Sequence, residues 1–411
     1  MSSAEVTIER IAAGGDGIAR ADGVVVFVPR TAPGDRALVS LDTRKRFARG
    51  TVERLIAESD ERVQPLCHHY RVDKCGGCQL QHMHYDAQLA AKRGIIRDAL
   101  TRIGKRAVEM PDIEASEKQW RYRQKLTLAL RRRGQDDWVI GLHPYDDPIG
   151  VFQLTDCPIT ADSVMHVWRQ VMEARPFFPP GDELRASVRV DDDVATVVME
   201  GGNEWPERAA FFDAVPTANA LWWKPLHRAR MLVAERGAAG KSAGASFAQI
   251  NTEVGRALHE YVLDRAQAYR PERVIDAYAG SGATAVRLAH AGSRVVAIES
   301  DRDATAYCAA RLPEGSRAIA ARVEDALAKA LPADVVLINP PRTGIHENVS
   351  AALQAFDPAP RAVIYVSCDP ATLARDLQRM PRYRIASLRA FDMFPQTAHV
   401  ETVCELVPEA A

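Results

Sequence analysis

Two short groups near the C-terminus carry side chains suited to one another's chemistry: Ser367-Cys368-Asp369-Pro370 and His399-Val400-Glu401. A thiol and a carboxylate are a nucleophile and a base. A pyrimidine needs such a pair, because its C5 is a weak nucleophile until a group has added at C6. Taken singly, each residue has a plainer reading: a cysteine buried at a strand end, and a solvated surface acid.

The pair needs a scaffold, and the alternation from about residue 245 supplies one. Strand-like Arg273-Val274-Ile275-Asp276 runs into Gly280-Ser281-Gly282, then a helix to His290, then a strand over 294–299. Further strands are expected at 334–339 and 362–366. This pattern predicts a parallel α/β sheet with binding at the carboxyl ends of its strands. Asp276-Ala277-Tyr278-Ala279-Gly280-Ser281-Gly282 ends one strand, and Glu299 closes the next with an acid placed to grip a ribose diol. Ala285 stands where a dinucleotide fingerprint wants its third glycine, so S-adenosylmethionine (SAM) fits better than NAD. A glycine turn that only permits close helix packing is the plainer alternative.

Asn339-Pro340-Pro341-Arg342 follows the 335–338 strand and faces the same crevice. Amino-group methyltransferases use Asn-Pro-Pro before an aromatic residue to hydrogen-bond an exocyclic nitrogen. Here Arg342 replaces the aromatic, which favours a different acceptor. An amino-group methyltransferase of RNA is kept as the alternative.

Cys67, Cys75-Gly76-Gly77-Cys78 and Cys157-Pro158 make a four-thiol set around a tight Cys-x-x-Cys. In a chain expected to be cytosolic, that set reads as a metal site, with buried unligated cysteines as the plainer alternative. His68, His69, His82 and His84 offer substitute ligands, so the residues leave zinc and a [4Fe-4S] cluster both open. Cys308 and Cys404 sit among apolar neighbours and read as core.

The remaining elements must hold these groups. Residues 6–8, 24–28 and 37–39 read as short strands separated by Gly14-Gly15-Asp16-Gly17 and Pro33-Gly34-Asp35, the pattern of a small OB-like β-barrel. Arg30, Arg44, Lys45, Arg46 and Arg49 give it a nucleic-acid-facing candidate surface. A helical stretch runs from Tyr85 to Gly104. Strands are expected at 125–130, 138–142 and 194–199, and Gly237 to Gly240 reads as a hinge. The expected domains are a barrel over 1–60, a central α+β domain with the metal cluster over 61–245, and a catalytic domain over 246–411. Residues 85–110 are placed to pack on the catalytic domain.

With 411 residues, 47% of them hydrophobic, the chain has material for several cores. Net charge is −1 overall, but residues 61–135 hold 16 Lys and Arg against 8 Asp and Glu. That local excess is the footprint of phosphate contacts, or of a solvated face. No stretch approaches the roughly 18 apolar residues of a spanning helix, and the N-terminus lacks a leader pattern. A cytoplasmic monomer without membrane contact is expected.

Through Phe247-Ala248-Gln249-Ile250-Asn251, Asp276-x-Tyr278-x-Gly280-x-Gly282, Asn339-Pro-Pro-Arg342, Ser367-Cys368-Asp369-Pro370 and His399-Val-Glu401, the chain resembles the RNA (uracil-5-)-methyltransferase family. Gly14-Gly15-Asp16-Gly17-Ile18-Ala19-Arg20 and Val26-Phe27-Val28-Pro29 resemble the TRAM RNA-binding domain. The resemblance implies a multidomain protein with a Rossmann-like SAM-dependent catalytic domain. It implies that Cys368 adds to uridine C6 and that Glu401 removes the C5 proton. Gln249, Tyr278, Glu299, Asn339 and Asp325 would contact SAM, and Arg342 or a backbone amide would steady the enolate. It also tips the four cysteines toward [4Fe-4S], as in the ribosomal-RNA branch of the family, and favours 23S ribosomal RNA over transfer RNA. The chain departs from the family at Asn339, where Asp is usual before Pro-Pro-Arg, and at Asp369, where Asn is usual.

Overall fold

Period-two burial is what makes the N-terminal strands a closed unit. In Val24–Val28, Val26 and Val28 point inward while Val24 is exposed. The computed structural model describes residues 2–44, 46–134, 137–191, 193–237 and 250–409. Its first unit is a six-stranded sheet, in the order Ser2–Thr7, Arg36–Arg44, Phe47–Ala57, Val24–Val28, Gly17–Ala21 and Arg10–Ile11. The sheet curls around Val6, Ile8, Val26, Val28 and Val39.

Buried Asp35 fastens this unit to the segment that leads out of its last long strand. It accepts from the amides of Ala32 (2.6 Å) and Ser59 (3.0 Å) and from the Arg62 guanidinium at 2.8 Å. Burial pushes its carboxyl up, but Arg62 and the two amides outweigh that and hold it below the usual range.

The central unit is a seven-stranded sheet, ordered Phe152–Gln153, Trp138–Leu142, Lys125–Arg132, Glu183–Asp191, Val194–Glu200, Ala220–Lys224 and Met231–Glu235. Leu126, Leu128 and Leu130 alternate into its core, where the helix Asp162–Glu173 contributes Val164, Trp168 and Val171. Cys67, Cys78 and Cys157 belong to the same core.

The last unit is an eight-stranded sheet. Arg317–Ala320, Arg294–Glu299, Arg273–Ala277, Val335–Ile338 and Ala362–Ser367 run parallel. Glu401–Pro408 enters antiparallel beside Ala362–Ser367, followed by Tyr383–Phe391. Val335–Ile338 and Ala362–Ser367 are buried on both faces, as helices on either side require. The eighth strand, Asp112–Glu114, comes from far upstream and pairs with Arg389–Phe391. The helix Tyr85–Arg102 accompanies it, placing Ile96, Ala99 and Leu100 in the core of this unit. Residues 85–114 therefore pack with the C-terminal sheet, although they precede the central one in sequence. The expected hinge residues 238–240 lie outside the described residues.

Candidate active site

Strand register brings the two C-terminal groups together. Ala362–Ser367 and Glu401–Pro408 are antiparallel neighbours, and their ladder ends on Ser367 opposite Thr402. The next residue of each chain is Cys368 and Glu401, and the charge of Glu401 acts on the Cys368 thiol. Thirty-two intervening residues are thus folded away, leaving a thiol beside a carboxyl.

Local sequence fixes each partner. Asp369 caps the helix Pro370–Gln378, its carboxylate accepting from the Thr372 amide at 2.9 Å. Pro370 occupies the first helical position, where no amide is missed. The strand therefore stops and turns at Cys368. Asp369, one of the two departures from the family pattern, serves here in a role that Asn fills equally well.

Both side chains are half-buried, and burial shapes the electrostatics of the pair. Burial pushes the Glu401 carboxyl up to about 7, against the pull of Arg342. Burial also raises the Cys368 thiol, the charge of Glu401 adds to that, and Arg342 opposes it. A thiol with a neighbouring carboxyl that titrates near neutrality is an arrangement for nucleophilic addition followed by proton removal.

The loop preceding Glu401 is clamped by distant residues. Lys92, fully buried, pairs with Asp392 and donates to the Phe394 carbonyl. Tyr85 donates to Asp392 at 2.8 Å. Gln88 and Gln396 exchange two hydrogen bonds, at 3.0 and 2.9 Å. From the cysteine loop, Gln79 accepts from the Ala398 amide (3.3 Å), and the Leu80 amide donates to the Gln396 carbonyl (3.0 Å). Sequence reading missed this clamp. Its partners lie some 300 residues apart, and no local pattern marks them.

At the carboxyl ends of the parallel strands, Tyr278 adopts a left-handed φ of 62° and Gly280 and Gly282 follow with φ of 54° and 80°. A bulky residue in that region is an uncommon conformation that clusters at ligand sites. Glu299 accepts from the Gly280 amide at 3.0 Å, and its other oxygen accepts from Ser300 and the Asp301 amide. It thereby ties the glycine turn to the next strand. A carboxylate has about four acceptor positions, so room remains for a diol. A Cβ on Gly282 would lie 2.2 Å from the Cys308 sulfur, which explains glycine there. Burial pushes the Asp276 carboxyl up to about 7, helped by Glu299 and opposed by the Ala285 amide.

Asn339 is exposed at the end of Val335–Ile338, its amide donating to the Ala277 carbonyl at 3.3 Å. Tyr278, Glu299 and Asn339 therefore stand at the ends of three adjacent strands. Asp325 is exposed on the first turn of the helix Val323–Ala330. Its neighbour Glu324 lines a cavity with Tyr278, His346 and Arg375, a grouping that sequence reading did not single out. Gln249 lies outside the described residues.

The four cysteines are all buried and line one cavity of about 380 Å³. Burial raises the thiols of Cys75, Cys78 and Cys157, and Cys75 and Cys78 are raised further by the other thiols of the set. The Gly77 amide donates to the Cys75 sulfur at 3.4 Å. Among the described residues, no three His, Cys, Asp or Glu side chains are grouped closely enough to hold a metal ion. Of the offered imidazoles, His69 is bonded to Asp73 and Thr155, and His82 to Tyr70 through its Nδ1. Arg30 of the barrel, expected to face nucleic acid, instead lies 3.9 Å over the Tyr70 ring and donates to the Cys75 carbonyl. Arg49 pairs with Asp16 at 3.4 Å, and Lys45 lies outside the described residues. No helix among the described residues is long and apolar enough to cross a membrane.

Known proteins resemble the chain along most of its length. The sequence model of the tRNA (Uracil-5-)-methyltransferase family matches residues 312–407, and that of the TRAM domain matches residues 2–52. An uncharacterised RNA methyltransferase of Halalkalibacterium halodurans is 30% identical, covering 98% of this chain and 96% of its own. The 23S rRNA (uracil(1939)-C(5))-methyltransferase of Thiobacillus denitrificans is 29% identical, covering 95% and 96%. The structure of Pyrococcus abyssi tRNA (uracil-54, C5)-methyltransferase, in complex with S-adenosyl-L-homocysteine, shares the fold. Its TM-score is 0.70 at 22% identity, over 98% of this chain and 99% of that one.

Proposed function

The chain belongs to the RNA (uracil-5-)-methyltransferase family, and on that premise we propose that it methylates C5 of a uridine in 23S ribosomal RNA, using SAM. The observation that carries the reading is that Cys368 and Glu401 adjoin the last pair, Ser367 and Thr402, of two antiparallel strands, close enough for the Glu401 charge to act on the thiol. The Cys368 thiolate adds to C6 of the uracil ring, and the electron pair moves toward C5 and the C4 carbonyl. C5 takes the methyl group that SAM supplies. Glu401 accepts the C5 proton, the 5,6 double bond reforms and the thiolate departs. Arg342 lowers the cost of charge on both side chains and stands ready for the enolate oxygen.

Tyr278, Glu299 and Asn339, with Gln249 and Asp325, are the proposed SAM contacts. Cys67, Cys75, Cys78 and Cys157 are proposed to hold a [4Fe-4S] cluster. Four buried thiols that line one cavity, with a tight Cys-x-x-Cys among them, support that reading. The cluster would cross-link the cysteine loop to Cys157 in the central core, and uridine methylation needs no electron from it.

Ribosomal RNA is preferred because the Thiobacillus relative named for it matches 95% of the chain at 29% identity. The transfer-RNA enzyme of Pyrococcus shares the fold at lower identity. A ribosomal RNA substrate supports the expected cytoplasmic location. An amino-group acceptor at Asn339 does not fit the uracil-C5 family.

The test is nucleoside mass spectrometry of unmodified 23S transcript incubated with anaerobically purified protein and methyl-labelled SAM. Labelled 5-methyluridine, absent with Cys368→Ala, is the expected result. Labelled methyladenosine that persists in the variant overturns the chemistry. Label appearing only in transfer RNA overturns the substrate.

A further inference from the structure

The turn that carries Arg342 is held from one helix. Its Gly344 amide donates to the Pro341 carbonyl at 2.8 Å, which puts Arg342 and Thr343 at the tip. Arg342 is exposed, so its guanidinium takes its place chiefly from the backbone beneath it. Three bonds run from that backbone to the helix Pro370–Gln378. Thr372 donates its hydroxyl to the Arg342 carbonyl at 3.1 Å, Arg375 donates to the Thr343 carbonyl at 2.7 Å, and Asp376 accepts from the Ile345 amide at 2.9 Å. Glycine at 344 lets turn and helix approach: with φ at 78°, a Cβ there would lie 2.3 Å from Asp376 Oδ2 and 2.4 Å from the Thr372 methyl.

Asp376 is wholly buried, and the four acceptor positions of its carboxylate are all taken. Besides the Ile345 amide, Oδ2 accepts from the Tyr365 hydroxyl at 2.7 Å, and Oδ1 accepts from Arg375 Nε at 3.0 Å and Nη2 at 2.7 Å. Burial and the Asp376 charge hold the Tyr365 hydroxyl well above its usual range, so it stays a donor. A carboxylate filled in this way has nothing left to offer a substrate. It joins three pieces instead: through Tyr365 the strand Ala362–Ser367, which leads into Cys368; the helix that starts beside Cys368; and the Arg342 turn. The charge of Arg342 acts on both Cys368 and Glu401, and such an effect depends on distance.

We propose that Asp376 is a positioning residue for methyl transfer, locking the 341–344 turn onto the Cys368 helix so that Arg342 stands beside the thiol and Glu401. The inference rests on the uridine-methylation reading for what that placement serves. Asp376 touches no reacting atom and acts through Arg342 alone. Thr372 and Arg375 reinforce the same lock from the same helix.

The test is the rate at which iodoacetamide alkylates Cys368 at pH 8, followed by peptide mass spectrometry on anaerobically purified full-length protein without RNA or SAM. Among the described residues Cys368 is the one cysteine that is not buried. Asp376→Leu is expected to slow its alkylation about three- to tenfold and to lower kcat with it, because a cation beside a thiol favours the thiolate. In an Arg342→Ala background the same change should slow alkylation no further, since a residue acting through another adds nothing once that other is gone. Asp376→Asn keeps an oxygen for Ile345 and Tyr365 and should restore most of the rate. Glu405→Leu is the matched control. Glu405 is also buried, bonded to Arg265 and Tyr269 in the same sheet, and its loss should lower the melting temperature while Cys368 reacts at the wild-type rate. Thr372→Val removes one half-buried hydroxyl and serves where Asp376→Leu does not fold, with slowing of about twofold expected. Unchanged alkylation in the folded variants overturns the proposal, as does equal slowing in Glu405→Leu or an undiminished effect without Arg342. Failure of the methylation reading is separate: the wild type would then yield no 5-methyluridine while the order of alkylation rates still held.

Discussion

Glu401 is the residue on which chemistry and stability pull apart. Burial holds its carboxyl near 7, so at neutral pH about half is in the basic form that removes a proton. Cys368 is raised as well and ionises above that. The rate of methylation at saturating RNA is therefore expected to climb through pH 7 and to keep climbing as the thiolate forms. A pH–rate profile falling above 7 would contradict this assignment. Glu401→Gln removes the base but leaves the nucleophile, so methylated uridine should remain attached to Cys368. The expected outcome is a protein–RNA adduct that survives denaturing electrophoresis and is lost in Cys368→Ala. The sign of the stability effect follows from linkage. An acid whose folded pKa lies above its unfolded value of 4.5 favours folding fully below 4.5, and that contribution disappears as pH rises to about 7. Glu401→Gln should therefore melt higher than wild type at pH 8, by up to about 3 kcal/mol, and not at pH 4.

Two elements have ends that the chemistry needs fixed. The helix Pro370–Gln378 begins beside Cys368, the proposed nucleophile, and its cap is Asp369. Asp369→Ala should cost about 1 kcal/mol in chemical denaturation and lower kcat, whereas Asp369→Asn should cost little. Equal losses in the two would show that the charge, not the cap, matters. The helix Ala283–His290 begins at Gly282, where a side chain meets Cys308 and φ is 80°. Gly282→Ala should weaken SAM binding by calorimetry and lower the melting temperature. Adding Cys308→Ala should recover part of both, because contacting residues couple non-additively. The residual deficit reports the left-handed backbone.

At the level of the folded chain, the catalytic loop is held by elements that belong elsewhere in sequence. Lys92 of the helix Tyr85–Arg102 pairs with Asp392, fully buried on both sides. Lys92→Met would leave that carboxylate unpaired, a loss of about 3–5 kcal/mol, whereas Lys92→Met with Asp392→Leu should recover much of the stability. Activity should not return with stability, since Phe394 also loses its donor. Gln79 and Leu80, next to Cys78, hold Ala398 and Gln396. If the four cysteines hold the proposed cluster, its removal by chelation is expected to lower kcat and the melting temperature while SAM affinity stays the same. An unchanged melting curve after complete iron loss would separate the four cysteines from the fold.

Much of the site is legible in the sequence because its parts are local. The glycine turn at 280–282, the acid closing the next strand and the Ser-Cys-Asp-Pro strand end each need only neighbouring residues and a strand period. The alternation of 362–367 and the cap at Asp369 place Cys368 at a strand tip without further information. That Glu401 faces it was decided by register between strands, which a sequence does not state, since a slip of one residue would turn every side chain over. The strand Asp112–Glu114 joining a sheet otherwise formed after residue 270 was likewise a tertiary outcome, as was the commitment of Arg30 to Tyr70 and the cysteine loop. Local pattern fixes which way a side chain points along its own element. Which element it then meets depends on how cores of similar composition are shared, and here those at 85–114 and 273–408 merged.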